Sequence, residues 1–212
     1  MIRNLIPIKD KSLLELGCGV GRITFTIAEE VRELVAIDID PIVIEQAQQR
    51  NAHDNVNFFI ENIEDFNLGR EFDVILSIGV GYMYLTDIRN AIKNIANHLR
   101  KDGIALLICS SPDDEYQQIV DQLVEEKVRT VSFYKEFEQH LANHFVIEKQ
   151  ILQEQIHFSN FEEIWQCFQR ELEEEYDTEM NDQHVRLLTT YFQEKKPLSI
   201  GVRYQAYECR KR

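Results

Sequence analysis

The sequence predicts an α/β fold in which helices cover both faces of a largely parallel, doubly wound sheet. Over the first half of the 212 residues, short β-branched runs alternate with segments of helical period, a pattern typical of βαβ units. Seven of the eight glycines lie at or before Gly103, where the turns of such units need them. Residues 72–78 are almost entirely apolar, as a strand covered on both faces should be.

The first half of the chain accounts for five strands and three helices. Each strand is a short apolar run, and the helices follow turn residues or capping signals. Pro41, for example, is favoured at the first position of a helix. We expect strands at 12–17, 34–38, 56–60, 72–78 and 104–109, and helices at 23–31, 41–52 and 86–99, the last ending in a turn at 101–103.

Beyond Pro112 the pattern becomes mostly helical and more acidic. Two late extended runs flank a helical excursion, which fits an antiparallel edge added to the parallel sheet. No repeat or flexible linker interrupts residues 1–212, so a single domain is expected. We expect helices at 114–127 and 134–143, strands at 145–158 and 200–209, and helical structure over 160–196.

One stripe of apolar side chains runs along the helical excursion at steps of three and four residues. It consists of Phe161, Ile164, Trp165, Phe168, Leu172 and Tyr176. The stripe is either packed core, including the underside of a lid, or the lining of a substrate pocket. The acidic run at 171–175 falls mostly on the opposite side and is typical of a solvated face, so we predict no metal site there.

Composition excludes several classes of partner. The chain has 23 basic and 37 acidic residues, and its net charge of −14 would repel nucleic acid and anionic bilayers. Its four cysteines form no CxxC pair, which indicates reduced thiols. No apolar run approaches the roughly 20 residues of a membrane span, and no secretory leader is evident. We therefore expect a soluble cytoplasmic protein.

A glycine-rich turn follows the first predicted strand. Gly17, Gly19 and Gly21 have the spacing GxGxG, so the third glycine comes one residue earlier than in the GxGxxG dinucleotide fingerprint. Glu15 lies two residues before the first glycine. Glycines permit a tight turn and close approach of a ligand to the backbone, and we expect Cys18 to contribute only its backbone.

Two later segments complete a candidate nucleoside site. Asp38 ends the second predicted strand, about where this architecture presents a carboxylate to ribose hydroxyls. The alternative is a helix cap or a loop acid, for which Asp40 directly before Pro41 is the better candidate. After the third strand, the Asn62 amide could bind an adenine edge and Ile63 could cover the ring.

These residues resemble the class I S-adenosylmethionine-dependent methyltransferases, in particular the small-molecule branch that includes the ubiquinone and menaquinone methyltransferases. The similarity covers residues 12–109, and five motifs occur in order at suitable spacing. They are LLELGCGVGR, AIDIDP, ENIEDF, FDVILSIGV and LRKDG. The resemblance implies a Rossmann-like seven-stranded sheet of order 3-2-1-4-5-7-6 with strand 7 antiparallel.

The resemblance also implies which residues bind S-adenosylmethionine. Gly17 and Gly19 would lie under its methionine part, and Asp38 would hold the ribose. Asn62 and Ile63 would flank the adenine. The same motifs place Ser77 and Ile78 beside the amino acid end and add Glu15, Cys18, Gly21 and Ile39 to the site.

Two features depart from the family pattern. Members usually have one or two helices before the first strand, whereas eleven residues precede Ser12 here. We therefore expect 111–133 and 160–196 to form the substrate cover around a cofactor-binding core at 12–110. After the fourth strand, GYMYL replaces the usual His-His pair. The candidate bases are then Tyr82, Tyr84 and His157, although the tyrosines could simply shape a pocket and the histidine could be structural.

The function predicted from the sequence is methyl transfer from S-adenosylmethionine to a small-molecule acceptor. In-line displacement at a sulfonium is accelerated mainly by positioning and desolvation, so no dedicated catalytic residue is required. A protein that binds the cofactor without turnover and a protein methyltransferase are the alternatives. Detectable methylated product would separate turnover from binding alone.

Overall fold

The structure, a computed structural model, describes residues 2–82, 85–124, 131–176 and 178–212. A short 3-10 helix at Ile2–Asn4 precedes the first strand. The strands are β1 Ser12–Leu16, β2 Glu33–Asp38, β3 Val56–Ile60, β4 Phe72–Ile78, β5 Leu99–Ser110, β6 Phe145–His157 and β7 Ser199–Lys211. The helices are α1 Arg22–Ile27, α2 Pro41–Arg50, α3 Ile88–His98, α4 Glu115–Leu123, α5 Val131–His144, α6 Phe161–Tyr176 and α7 Asp182–Phe192.

The strands form one seven-stranded mixed sheet in the order β3-β2-β1-β4-β5-β7-β6. Neighbouring strands from β3 to β5 are parallel. Strand β7 runs the other way, because Cys109 contacts Gln205 while Ser111, further along the chain, donates its N–H to the carbonyl of the earlier Arg203. The predicted fold class and strand order are confirmed.

Strand β5 begins earlier than the sequence predicts. Phe72 pairs with Leu99 and Val74 pairs with Ile104, so residues 100–103 form an irregularity within β5. The expected turn at 101–103 is therefore a bulge inside the strand. Gly103 permits the bulge, since a Cβ there would lie 3.0 Å from a backbone carbonyl oxygen of β4.

The helix predicted at 23–31 was wrong in extent. Helix α1 ends at Ile27 instead of continuing to residue 31, because the chain turns at 28–30 and the Glu30 carbonyl accepts from the Asp10 N–H. The helical structure predicted over 160–196 consists of two helices, α6 and α7. Asn181 starts the second helix, since its side chain accepts from the N–H groups of Gln183 and His184.

The chain divides into two compact units. Unit 1 contains Met1–Cys109, Ser132–Gln150 and Gln205–Arg212, and unit 2 contains Ser110–Val131 and Ile151–Tyr204. The core of unit 1 lies between the central strands and helices α3 and α5. It includes Leu14, Leu16, Ile37, Ile75, Ile92, Ile95, Leu107, Phe137, Leu141 and Tyr207.

The core of unit 2 contains the middle of the predicted stripe. Ile164, Phe168 and Leu172 are fully buried. They pack with α4, α7 and the start of β7, through Ile119, Val120, Leu123, Leu188, Phe192 and Ile200. The middle of the stripe is therefore packed core within its own unit, whereas Trp165 is only half-buried. Whether 111–133 and 160–196 also cover a substrate stays a prediction.

Candidate functional site

The predicted glycine turn joins β1 to α1 in unit 1. Gly17, Gly19 and Gly21 all have positive φ, at 67°, 51° and 86°, a region that side chains rarely adopt. The N–H groups of Gly17 and Cys18 donate to the carbonyl of Ile37 at 2.8 and 3.0 Å. The turn is therefore hydrogen-bonded to the end of β2. No described atom lies within 4 Å of where a Cβ of Gly19 would be, so the middle of the turn has open space beside it.

Substituting Gly17 should disrupt the turn more than substituting a glycine of similar φ elsewhere. A Cβ on Gly17 would lie 2.5 Å from Val80 Cγ2, whereas a Cβ on Gly69, at φ 65°, would meet no described atom within 4 Å. We expect Gly69→Ala to lower the free energy of unfolding by about 1 kcal/mol and Gly17→Ala by about 2 to 3 kcal/mol. Urea denaturation of both variants measures the difference. Equal losses would contradict a close approach of Val80 to the turn.

Asp38 lies directly beside this turn. Its Oδ2 accepts from the N–H of Gly19 at 2.8 Å, and its Oδ1 accepts from the N–H of Asp40 at 3.1 Å. Asp40 is the cap of α2, because its Oδ1 accepts from Ile42 N at 2.7 Å. The alternative of Asp38 as the helix cap is thus excluded. Each Asp38 oxygen keeps a lone pair for a further donor, such as a ribose hydroxyl.

Glu15 is buried beneath the turn, and its Oε2 accepts from the hydroxyl of Thr24 at 2.6 Å. Burial raises the pKa of Glu15 to about 7; the Thr24 hydrogen bond lowers it, and the charge of Asp38 raises it further. The Cys18 thiol is also buried, and burial raises its pKa far above the usual range. Because a protonated thiol is a poor nucleophile, the Cys18 side chain is unsuited to attack a ligand.

The segment after β3 carries the predicted adenine residues. Asn62 Oδ1 accepts from the N–H of Glu64 at 2.9 Å, which fixes the side chain in a local turn. Asn62 Nδ2 makes no hydrogen bond to a described residue and is available as a donor. Ile63 packs against the core of unit 1 while keeping part of its surface exposed. Ile39, beside Asp38, is 65% exposed, which is unusual for a large apolar side chain and suits a surface that a ring would cover.

The segment after β4 differs from the expectation for Ser77. This side chain is fully buried, and its Oγ accepts from Tyr82 Oη at 2.7 Å. The Ser77 hydroxyl is therefore committed to the core, and Ile78, which is half-buried, is the more accessible of the two. Burial raises the pKa of Tyr82, opposed by the Ser77 hydrogen bond. A neutral phenol sealed in the core is unsuited to take up a proton, so Tyr82 does not have the properties of a base.

The other two candidate bases lie outside the described residues of unit 1. Tyr84 lies outside the described residues. His157 ends β6 in unit 2, where it is exposed. Within the described part of the chain, no group of three or more His, Cys, Asp or Glu side chains could hold a metal ion. No described helix is long and apolar enough to cross a membrane.

Sequence reasoning missed two residues of this region. The Val80 side chain packs against Gly17, and Glu64 is hydrogen-bonded to the two residues just before α3. Val80 lies between two glycines, which was a visible signal for a segment that approaches another backbone closely. Glu64 had no such signal, because its partners lie more than 20 residues away in the sequence.

Comparison with known proteins supports the resemblance to methyltransferases. A family model described as a methyltransferase domain matches residues 8–183. A malonyl-[acyl-carrier protein] O-methyltransferase from Bacillus anthracis is 34% identical over 109 residues, which are 50% of this chain and 40% of that protein. The chain thus matches less than half the length of this relative.

Solved structures share the fold over nearly the whole chain. The YcgJ protein from Bacillus subtilis has a TM-score of 0.67 at 18% identity, covering 100% of this chain and 97% of that one. The N-methyltransferase NodS from Bradyrhizobium japonicum, in complex with S-adenosylhomocysteine, has a TM-score of 0.57 at 16% identity, covering 95% and 79%. At these identities the likeness is one of fold.

Proposed function

This chain belongs to the methyltransferase-domain family, and we propose that it transfers a methyl group from S-adenosylmethionine to a small-molecule acceptor. The observation that carries the proposal is the hydrogen bond between the middle glycine of the turn, Gly19, and the carboxylate of Asp38. It brings a glycine backbone with open space beside it next to a carboxylate that can accept from hydroxyls. A ligand with both a ribose and an amino acid end matches this combination.

The proposed site acts by positioning S-adenosylmethionine and shielding it from water. Bound S-adenosylmethionine would supply an electrophilic methyl group on a positively charged sulfur. Asp38 would accept from the ribose hydroxyls, Ile39 and Ile63 would cover the adenine, and the backbone at Gly17 would approach the amino acid end. Val80, an apolar side chain against the turn, would exclude water there. These residues position the donor and do not take part in bond making.

The properties of Tyr82 favour an acceptor that needs no deprotonation. Because this phenol is buried and stays protonated, it would not generate a nucleophile from a neutral alcohol or thiol. A carboxylate, or an amine with a free lone pair, is nucleophilic without a base. The relative from Bacillus anthracis is named a malonyl-[acyl-carrier protein] O-methyltransferase. We therefore propose a small carboxylate or amine as the acceptor, and the net charge of −14 argues against nucleic acid.

S-adenosylhomocysteine should raise the melting temperature of the protein, and NAD should not. A ligand at 100 times its Kd stabilises the folded state by about 2.7 kcal/mol if it binds only that state. Thermal unfolding with each ligand at matched concentration tests the cofactor. Stabilisation by NAD alone would reject it.

Incubation with a methyl-labelled donor and a metabolite extract tests the acceptor. Label in the low-mass fraction supports a small molecule. Label in protein favours a protein methyltransferase. Cofactor binding with no labelled product from either fraction favours a protein that binds the cofactor without turnover.

A further inference from the structure

We infer that Glu64 is a positioning residue. It links by hydrogen bonds the two segments that border the adenine end and the amino acid end of the proposed cofactor. The inference rests on the proposed function. The first segment, residues 61–66 after β3, carries the adenine candidates Asn62 and Ile63. The second, residues 79–87 after β4, is described except for 83–84 and carries Val80. We call them the adenine segment and the methionine segment.

The Glu64 side chain bonds to the far end of the methionine segment. Its two carboxylate oxygens accept from the hydroxyl of Thr86 at 3.1 and 2.9 Å, and Oε1 accepts from the N–H of Asp87 at 2.6 Å. The hydrogen bond from the Asp87 N–H is the main reason that the pKa of Glu64 is lowered, so the group is a carboxylate at neutral pH. Charge-assisted hydrogen bonds of this kind are stronger than neutral ones.

The Glu64 backbone makes a second set of bonds. Its carbonyl accepts from the side-chain amides of Asn90 and Asn94, which lie one turn apart on α3. Its N–H donates to Asn62 Oδ1 at 2.9 Å. Glu64 therefore orients the predicted adenine-binding amide, while its carbonyl is held by α3 and its side chain by the end of the methionine segment.

The other end of the methionine segment is anchored at the glycine turn. Val80 lies against Gly17, and the Val80 carbonyl accepts from the N–H of Tyr82 at 2.9 Å. The Tyr82 hydroxyl is in turn held by Ser77 in the core. The segment is thus attached at Ser77 on one side and at Glu64 on the other. Between these two attachments, the N–H of Leu85 donates to the carbonyl of Tyr82 at 3.3 Å, so a displacement of the adenine segment would be transmitted to Tyr82 and Val80.

A purely structural role as a helix cap does not explain these contacts. Helix α3 already has its own cap, because Asp87 Oδ1 accepts from the N–H of Asn90 at 2.9 Å. Glu64 instead accepts hydrogen bonds from Asp87, the residue that makes this cap, and from Thr86 in the loop before it. Its bonds join two loops, and both loops border the proposed cofactor site.

The test compares two ligands by calorimetry, below the melting temperature of every variant. S-adenosylhomocysteine spans both segments, whereas 5′-methylthioadenosine has the adenine and ribose but lacks the amino acid end. We expect Glu64→Ala to weaken binding of S-adenosylhomocysteine about tenfold and binding of 5′-methylthioadenosine about threefold or less. Glu64→Gln keeps one carbonyl acceptor for the Asp87 N–H and should restore most of the lost affinity. Asp65→Ala, an exposed acid in the same segment, should change neither affinity.

Equal losses for the two ligands would overturn the inference, because Glu64 would then support only the adenine segment. Unchanged affinity for both in Glu64→Ala would overturn it as well. If the unsubstituted protein binds neither ligand, the proposed function itself has failed, and the inference falls with it. Those results are distinguishable, since the first two require that the unsubstituted protein binds.

Discussion

Replacing Phe168 with alanine will lower the free energy of unfolding by about 3 to 5 kcal/mol, since a fully buried aromatic side chain leaves both lost contacts and a cavity. The Phe168 ring stacks on Tyr116 with centroids 4.9 Å apart and lies 6.4 Å from Phe192, so it packs against two neighbouring helices of unit 2, α4 and α7. For a chain of this size the loss corresponds to a fall in melting temperature of roughly 10 °C. Differential scanning calorimetry measures it.

Trp165 is the matched control, three residues earlier on the same helix. Its side chain is half-buried, and its indole N–H donates to Gln169 at 2.9 Å on the helix surface. We expect Trp165→Ala to lower the free energy of unfolding by about 1 kcal/mol. A stable Phe168→Ala variant would reject the packed core. Lost turnover in a stable Trp165→Ala variant would support the prediction that α6 covers a substrate.

Replacing Asp38 with alanine should weaken binding of S-adenosylhomocysteine about ten- to a hundredfold, because the carboxylate would no longer accept from the ribose hydroxyls. Asp40→Ala removes a neighbouring carboxylate that caps α2, and it should lower stability by about 1 kcal/mol with little change in affinity. Calorimetric titration of both variants provides the comparison. A larger affinity loss in Asp40→Ala would mean that Asp40 and not Asp38 holds the ribose.

The Asp38 variant also loses a partner of the glycine turn, since Gly19 donates to the same carboxylate. An analogue of S-adenosylhomocysteine without the 2′-hydroxyl separates the two effects. Removing the hydroxyl should weaken binding to the unsubstituted protein and have little further effect on Asp38→Ala. If the analogue loses equal affinity in both proteins, Asp38 acts through the turn and not through the ribose.

Local signals were sufficient for most of the fold. Strands β3 and β4 have the predicted bounds, because each is a compact apolar run between polar turns. The predicted sheet order followed from the resemblance and is confirmed. The start of β5 could not be predicted, because Lys101 and Gly103 are ordinary helix-stop residues and only the pairing of Phe72 with Leu99 extends the strand past them.

Side-chain partnerships within the site were harder to predict than the backbone. The glycine turn and Asp38 could be located, since each follows a strand at a characteristic spacing. The role of Tyr82 could not, because its burial against Ser77 depends on α5 packing above it through Phe137. The break between α6 and α7 did have a local signal, because Asn181 is a favoured N-cap residue and its side chain accepts from the N–H of His184.

The position of β7 between β5 and β6 has a consequence for synthesis on the ribosome. Among the described strands, β6 neighbours only β7 in the sheet, yet β7 is made more than 40 residues later. Until Ser199–Lys211 leaves the exit tunnel, the free edge of β5 and the whole of β6 lack their described partner strand. The nascent chain can fold β1 to β4 early, but one edge of β5 and both edges of β6 stay unprotected until β7 inserts between them.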